Sequence, residues 1–241
     1  MNETTTKDSK TRRWLGRAHL QVRRHGWSAA LHDLAIRALN SVSVFKILRG
    51  VVIERPDPAY LSCPDGYAAG FLTAPAVRAL ARLPELEMAD EFVEEALAKG
   101  DRCFALWHGA TLAAYGWYSS APTRIDPPDL QLRFGDRYVY MYKGFTHPSH
   151  RGKRLHAVGM TMALRHFVES GSLGMVSYVE SNNFDSLKSV HRMGYTRFGS
   201  VYVVKLGGRW LTSPTRGCRA FGFEIEPRFP APGHASVRLA S

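Results

Sequence analysis

From Arg102 to Leu206 the sequence switches repeatedly between strand-like and helix-like periodicity. That alternation limits the fold more than any other feature of the chain. RCFALWH and TLAAYGWYS, joined by Gly109-Ala110, read as the two arms of a hairpin. RYVYMYKGFT alternates and is rich in aromatics, as a strand should be, and Gly144 within it suggests a bulge. RLHAVGMTMALRHFVES has helical spacing and stops near Gly171, and LGMVSYVES returns to strand. NFDSLKSVHRM is a short helix closed by Gly194, and YTRFGSVYVVKL and CRAFGFEIE are strands. Strands and helices in this order predict an α/β (α+β) domain, with a mixed sheet of six to seven strands flanked by helices.

Upstream, Trp14 to Leu48 reads as one or two helices, with breaks at Gly26 and Ser41–Ser43. GVVIERP is then a strand stopped by Pro56. LTAPAVRALARL and MADEFVEEALAKG are two helices, the second capped by Gly100. A loop carries Pro122, Pro127 and Pro128. Met1 to Thr11 and the chain beyond Pro227 read as loose. The predicted organisation is a basic helical extension over 1–50, the α/β domain over 51–226 and a tail over 227–241.

Bulk properties exclude several classes. An apolar share of 45% in 241 residues suffices for a substantial core. No apolar run approaches the roughly 20 residues that span a bilayer, and the first residues lack the apolar run of a secretory leader. Cys63, Cys103 and Cys218 are far apart and form no CxxC, so a disulfide framework is not expected and the cytoplasm is the expected compartment. The formal charge of +11 favours anionic partners. Between Lys10 and Arg49 Asp33 is the sole acid among nine Lys and Arg residues. Such a segment suits an anionic membrane surface, an acidic partner, or packing on the domain with a solvated basic face. No helix-turn-helix, zinc module or aromatic RNA-reading strand is visible, so DNA is not an expected partner.

The segment GFTHPSHRGKRLHAVGM carries the clearest chemistry. It begins as a strand, turns at Pro148 and becomes a helix. The first N–H groups of a helix lack intrahelical partners, and the macrodipole adds positive potential, so a helix N-terminus attracts anions. Gly152 lets backbone approach a ligand closely, and Arg151, Lys153 and Arg154 add charge. A diphosphate fits this turn; so does an ordinary solvated strand-to-helix junction. The spacing is neither GxxxxGK[ST] nor GxGxxG. His147, His150 and His156 match no common zinc spacing, so no metal is expected.

Thr146-His147-Pro148-Ser149-His150-Arg151-Gly152-Lys153-Arg154-Leu155-His156 resembles motif A, V-x-P-x-x-R-G-x-G-x-G, of the GNAT (GCN5-related N-acetyltransferase) superfamily. Asn183, Ser186, Val190, Gly194 and Tyr195 fall at the offsets of a second signature of that family. The resemblance covers roughly Arg102 to Leu206. Arg154 and His156 stand where motif A has glycine, and Val190 stands where an aromatic, usually Tyr, is proposed as general acid. The resemblance implies a GNAT-like fold and transfer of an acyl group, acetyl above all, from acyl-CoA to a small-molecule or peptide amine, without metal. It places acyl-CoA against Phe145, Thr146, Arg151, Gly152, Lys153, Arg154, Leu155, His156, Asn183 and Ser186, with the pantetheine arm between two splayed parallel strands. Within this reading an acidic acyl carrier protein or an aminoacyl-tRNA are alternative donors, and a non-catalytic acyl-CoA binder is a further alternative.

Acyl transfer to an amine needs a base or a water path. YVYMYKGFT has no carboxylate, so Glu180 on the next strand is the candidate base; a surface role for it is equally open. Tyr178, Tyr142 and His191 are candidates for the acid, with sheet packing and a helix face as their alternatives. Asn183 is expected to cap the helix that follows it, and Cys103 is expected to be buried.

Overall fold

The computed structural model describes residues 22–228. The expectations for Met1–Thr11, for the start of the basic segment and for the tail beyond Arg228 lie outside the described residues.

Gly26, at φ 84°, breaks the basic segment, and α1 (Trp27–Asn40) follows. Asn40 ends the helix. Its amide donates to the Ile36 and Phe45 carbonyls, and its side-chain oxygen accepts from the Phe45 N–H. The chain passes directly into β1 (Phe45–Ile53). The helical reading to Leu48 and the boundary at residue 50 are therefore corrected, since one strand spans both. β1 lies inside the sheet, so its end is buried on both faces and reads as the unbroken apolar run Val51-Val52-Ile53. Periodicity does not separate such a run from a helix.

The remaining elements are β2 (Tyr67–Phe71), α2 (Ala74–Ala81), α3 (Asp90–Ala98), β3 (Arg102–His108), β4 (Thr111–Ser119), β5 (Thr123–Ile125), β6 (Leu130–Arg133) and β7 (Tyr138–Thr146). Then come α4 (Leu155–Glu169), β8 (Gly174–Glu180), α5 (Phe184–Arg192), β9 (Thr196–Leu206), β10 (Arg209–Pro214), α6 (Arg216–Ala220) and β11 (Glu224–Pro227). The fold class is the mixed α/β one expected, with a larger sheet: eight strands in the order β10-β9-β1-β8-β7-β4-β3-β2. Every neighbouring pair in it is antiparallel except β7 with β8.

The proline-bearing loop is also corrected. It holds β5 and β6, which join β11 in a second sheet of three strands. Strands of three and four residues are too short to show an alternation. CRAFGFEIE likewise divides into the end of α6 and β11, because Gly222 turns at φ 58° between them.

Both faces of the large sheet are covered. On one, Leu155, Met160 and Leu164 of α4 pack on Leu106, Val139 and Met175. On the other, Val77, Val93 and Ala96 of α2 and α3 cover Cys103, Tyr115 and Trp117. Beside them the small sheet sets Leu130, Leu132 and Ile225 over Val52, Val176 and Val201. Tyr142 of β7 touches both of these last two clusters, so it marks the seam between the covers.

Candidate active site

The parallel pair β7–β8 begins regularly and then opens. Tyr138 pairs with Gly174, Val139 with Met175 and Tyr140 with Val176, and no later residues of the two strands pair. At the fork Ser177 Oγ donates to the Met141 carbonyl at 2.8 Å, so a side chain replaces the next ladder bond. β7 stays paired with β4 on its other side through Thr146.

A bulge helps to turn β7. Trp117 faces Lys143 and Tyr118 faces Met141, which leaves Tyr142 as the extra residue. The bulge expected at Gly144 is thus two residues earlier. Gly144 has a different role: a Cβ there would meet His156 Cε1 at 2.7 Å, so its bare backbone lets the His156 ring lie over the strand.

Backbone polarity distinguishes the two residues expected to pair with the pantetheine arm. The His147 N–H donates to the Ala113 carbonyl of the neighbouring chain segment. In an antiparallel pair successive residues point alternately toward and away from the partner. The main-chain groups of Phe145 therefore face β4, and those of Thr146 and Gly144 face the gap. Arg151 Nε reaches the Thr146 carbonyl at 3.3 Å from that side. The Phe145 ring stacks on Tyr115 at 5.2 Å, within the core.

The turn after β7 leads straight to the N-terminus of α4. A short 3₁₀ turn, Pro148–His150, follows His147, whose ring accepts from the Ser149 N–H. Gly152 at φ 81° and Arg154 at φ 59° then re-aim the chain into α4. No side chain caps α4 and its first turn holds no acid. A Cβ on Gly152 would meet nothing within 4 Å, so the turn is open, and its positive φ is what favours glycine. Arg151, Gly152, Lys153 and Arg154 are all exposed. Lys153 Nζ donates to the Tyr67 hydroxyl at 3.0 Å, and Tyr67 in turn meets His150 Nδ1 at 2.7 Å. This is an uncapped helix end ringed by cations, beside a forked pair of strands.

Burial holds the protonation of His156 below its ordinary range, and it does the same for His150, where the charge of Lys153 adds to the effect. Both rings bind protons less well in the folded chain than in the unfolded one. The unfolded state therefore takes up more protons as pH falls through about 6.5, and stability present above that pH is lost below it. Replacing His156 by glutamine should flatten the fall in stability between about pH 6.5 and 5. Denaturant titrations at several pH values measure this.

No known family profile matches the sequence. No curated protein matches it either. Solved structures do. The solved structures it resembles include GNAT-family acetyltransferases. One is an acetyltransferase from the GNAT family from Colwellia psychrerythraea, at 16% identity and a TM-score of 0.44, over 80% of this chain and 62% of that one. Another is yncA from Salmonella typhimurium with its cofactor acetyl-CoA, at 17% identity and a TM-score of 0.40, over 73% of this chain and 100% of that one. A third is an aminoglycoside acetyltransferase from an uncultured soil metagenomic sample, in complex with trehalose, at 10% identity and a TM-score of 0.42, over 55% of this chain and 90% of that one. The chain spans less than two thirds of the length of the Colwellia protein.

The structure gathers the turn residues Arg151 to His156 beside Thr146, at the open end of the strand pair. Asn183 caps α5 as expected, its Oδ1 accepting from the Ser186 N–H at 3.1 Å, just beyond β8. The acid–base candidates are less well placed. Glu180 Oε1 accepts from Lys46 Nζ at 2.8 Å, and the same ammonium holds Asp126 Oδ2 at 2.7 Å. Burial works against the charge on Lys46, but its hydrogen bonds and charge contacts with Asp126 and Glu180 outweigh it and hold its pKa above the ordinary value. Glu180 would have to leave that pair to act as a base. Burial pushes the Tyr178 hydroxyl above its ordinary range. His191 is exposed in the last turn of α5, at the end opposite Asn183. Cys103 is buried, with its thiol pushed up by that burial.

Asp101 was not singled out in the sequence, yet it is buried and accepts from the Tyr142 hydroxyl at 2.7 Å while pairing with Lys99 at 3.0 Å. It stands next to a helix-capping glycine, a position that reads as loop. The one signal was an acid immediately before an apolar strand.

Proposed function

We propose that this chain is a GNAT-like N-acyltransferase that moves an acyl group from an acyl thioester, acyl-CoA above all, to an amine by direct attack. One observation carries the reading: β7 and β8 separate beside an open, uncapped helix N-terminus flanked by Arg151, Lys153 and Arg154. A diphosphate would satisfy the free N–H groups of α4 and meet the three cations. The pantetheine arm would lie in the fork, where the main-chain groups of Thr146 and Gly144 have no strand partner, and it would displace the exposed Arg151 guanidinium from the Thr146 carbonyl. Unpartnered backbone groups favour a ligand that supplies the missing bonds. A gap-facing N–H could also polarise the thioester carbonyl.

In the reaction the amine nitrogen bonds to the thioester carbonyl carbon, the C–S bond breaks, and the thiolate takes up the proton that the amine gives up. Val190 carries no proton, so the leaving thiolate is protonated by water or by another side chain. The test is thiol release with acetyl-CoA, longer acyl-CoA and acyl-carrier thioesters over a panel of amines. Turnover with acyl-CoA supports the reading. Turnover with the carrier thioester alone moves the donor to a carrier protein. CoA binding without turnover on any amine marks a non-catalytic binder, and no CoA binding overturns the reading.

A further inference from the structure

α1 is apolar on two opposite sides. Its inner side, with Ala29 and Ile36, is buried against the domain. His32 Nε2 lies 2.9 Å from Ser181 Oγ, and Asn182 Nδ2 donates to Asp33 Oδ1 at 3.3 Å, so that side is tied to the segment between β8 and α5. At 3.6 residues per turn, Trp27, Leu31, Leu34 and Ala38 fall on the reverse of the helix. That row holds no charge and faces solvent: Trp27 is 74% exposed, Leu31 63% and Leu34 51%. A helix packed on one side of a globular domain ordinarily has polar residues there.

The exposed apolar surface continues past the helix. Val42 is 90% exposed. The Ser43 hydroxyl donates to the Lys205 carbonyl, and the Lys205 N–H donates to the Val44 carbonyl, so Val42 stands beside the tip of the β9–β10 hairpin. Leu206 and Leu211 are exposed there and share one face of the ribbon, since Leu211 pairs with Val204. The other face carries Val201 and Val203, buried under the small sheet. Ten large apolar side chains are exposed among the described residues, and only Leu83 and Leu173 lie away from α1, the segment after it and this ribbon. Exposure gathered in this way marks an interaction surface.

We propose that this surface docks the protein on an anionic membrane, with α1 in the plane of the headgroups. No described helix is long and apolar enough to cross a bilayer, so α1 would lie on one. Charge fits this partner. From Lys10 to His32 the chain has six Lys and Arg residues and no acid. Arg23 and Arg24 are exposed just before α1, and Arg209 shares the face of Leu211 on the ribbon. Cations beside an apolar row that begins with Trp are the pattern of a helix lying in the membrane interface. An acidic protein would meet the cations but leave Leu31 and Leu34 without apolar cover. The inference does not depend on the acyl-transfer reading.

The test is sedimentation of the full chain with vesicles of phosphatidylcholine alone and of phosphatidylcholine mixed with phosphatidylglycerol. Binding to the mixed vesicles should be at least about tenfold tighter than to the neutral ones and should fall as salt rises. Leu31→Gln with Leu34→Gln should weaken it at least about tenfold, with the unfolding midpoint within about 2 °C of the native one, since both side chains already face water. Should that double variant fail to fold, Val42→Glu with Leu206→Glu should show the same loss of binding. No binding to the mixed vesicles overturns the inference. So does binding that both pairs of substitutions leave unchanged, because the cations would then act alone. If residues 1–21 cover the row instead, the native chain ignores vesicles and Leu31→Gln with Leu34→Gln lowers the midpoint. If a second copy covers it, the native chain is a dimer by light scattering, ignores vesicles, and becomes a monomer in the double variant. Capture of a purified acidic carrier protein, with vesicles ignored, would likewise overturn it.

Discussion

Replacing Arg151 and Lys153 together by alanine will weaken CoA binding about 30- to 100-fold. Each side chain stands ready to give a charge-assisted hydrogen bond to a phosphate oxygen, worth roughly 1–1.5 kcal/mol in an exposed site. Two such bonds come to about 2–3 kcal/mol, and every 1.4 kcal/mol is tenfold in affinity. The native complex will also weaken as salt rises, and the double variant will weaken less steeply, since two of the screened contacts are gone. The fold will hardly notice. Both residues are exposed, and surface substitutions of this kind usually fall within about 0.5 kcal/mol, so the unfolding midpoint should stay within about 2 °C. Arg151 does touch the Thr146 carbonyl at 3.3 Å and Lys153 the Tyr67 hydroxyl at 3.0 Å, but both contacts are in the open. Calorimetric titration with CoA, alongside a thermal scan, measures both quantities. An unchanged affinity would remove the anion site from the α4 turn.

A second large effect is expected in the core under α2 and α3. Trp117 is the largest fully buried side chain of the sheet, at 0% exposure, and it supports Phe92 from below. Truncating it to alanine should cost about 3–5 kcal/mol, since the apolar contacts are lost and a cavity is left. At about 2–4 °C per kcal/mol for a chain of this size, the midpoint should fall by about 6–20 °C. Trp117→Phe should cost far less, because the native indole buries an N–H that has no acceptor, and phenylalanine removes that donor while keeping much of the ring. Equal losses for alanine and phenylalanine would show that the indole N–H is satisfied in solution.

The parts legible in the sequence were those fixed by local chemistry. The hairpin of β3 and β4, the aromatic strand β7, the glycine-gated turn and α4 each carry their own pattern within one short window. The same holds for Asn183, whose capping bond reaches only three residues on. The parts that were not legible depend on what lies next to what. β1 enters the middle of the sheet between β8 and β9, a neighbour relation that no local pattern states. β5, β6 and β11 are strands because they find one another, and alone each is too short to show alternation. In the site, the fork appears only when β7 and β8 are seen to pair over three residues and then stop. Glu180 looked available because Lys46, its partner, is 134 residues away in the chain. Asp101 was hidden for the same reason, since Tyr142 and Lys99 meet it only in the folded chain.

The most direct test of the whole account is a crystal structure of the chain grown with coenzyme A. The diphosphate should lie within hydrogen-bonding distance of the N–H groups at the start of α4, with the pantetheine running along Thr146 and Gly144 inside the fork. A diphosphate bound elsewhere, or β7 and β8 paired through to Thr146 and Glu180 with CoA outside them, would contradict it.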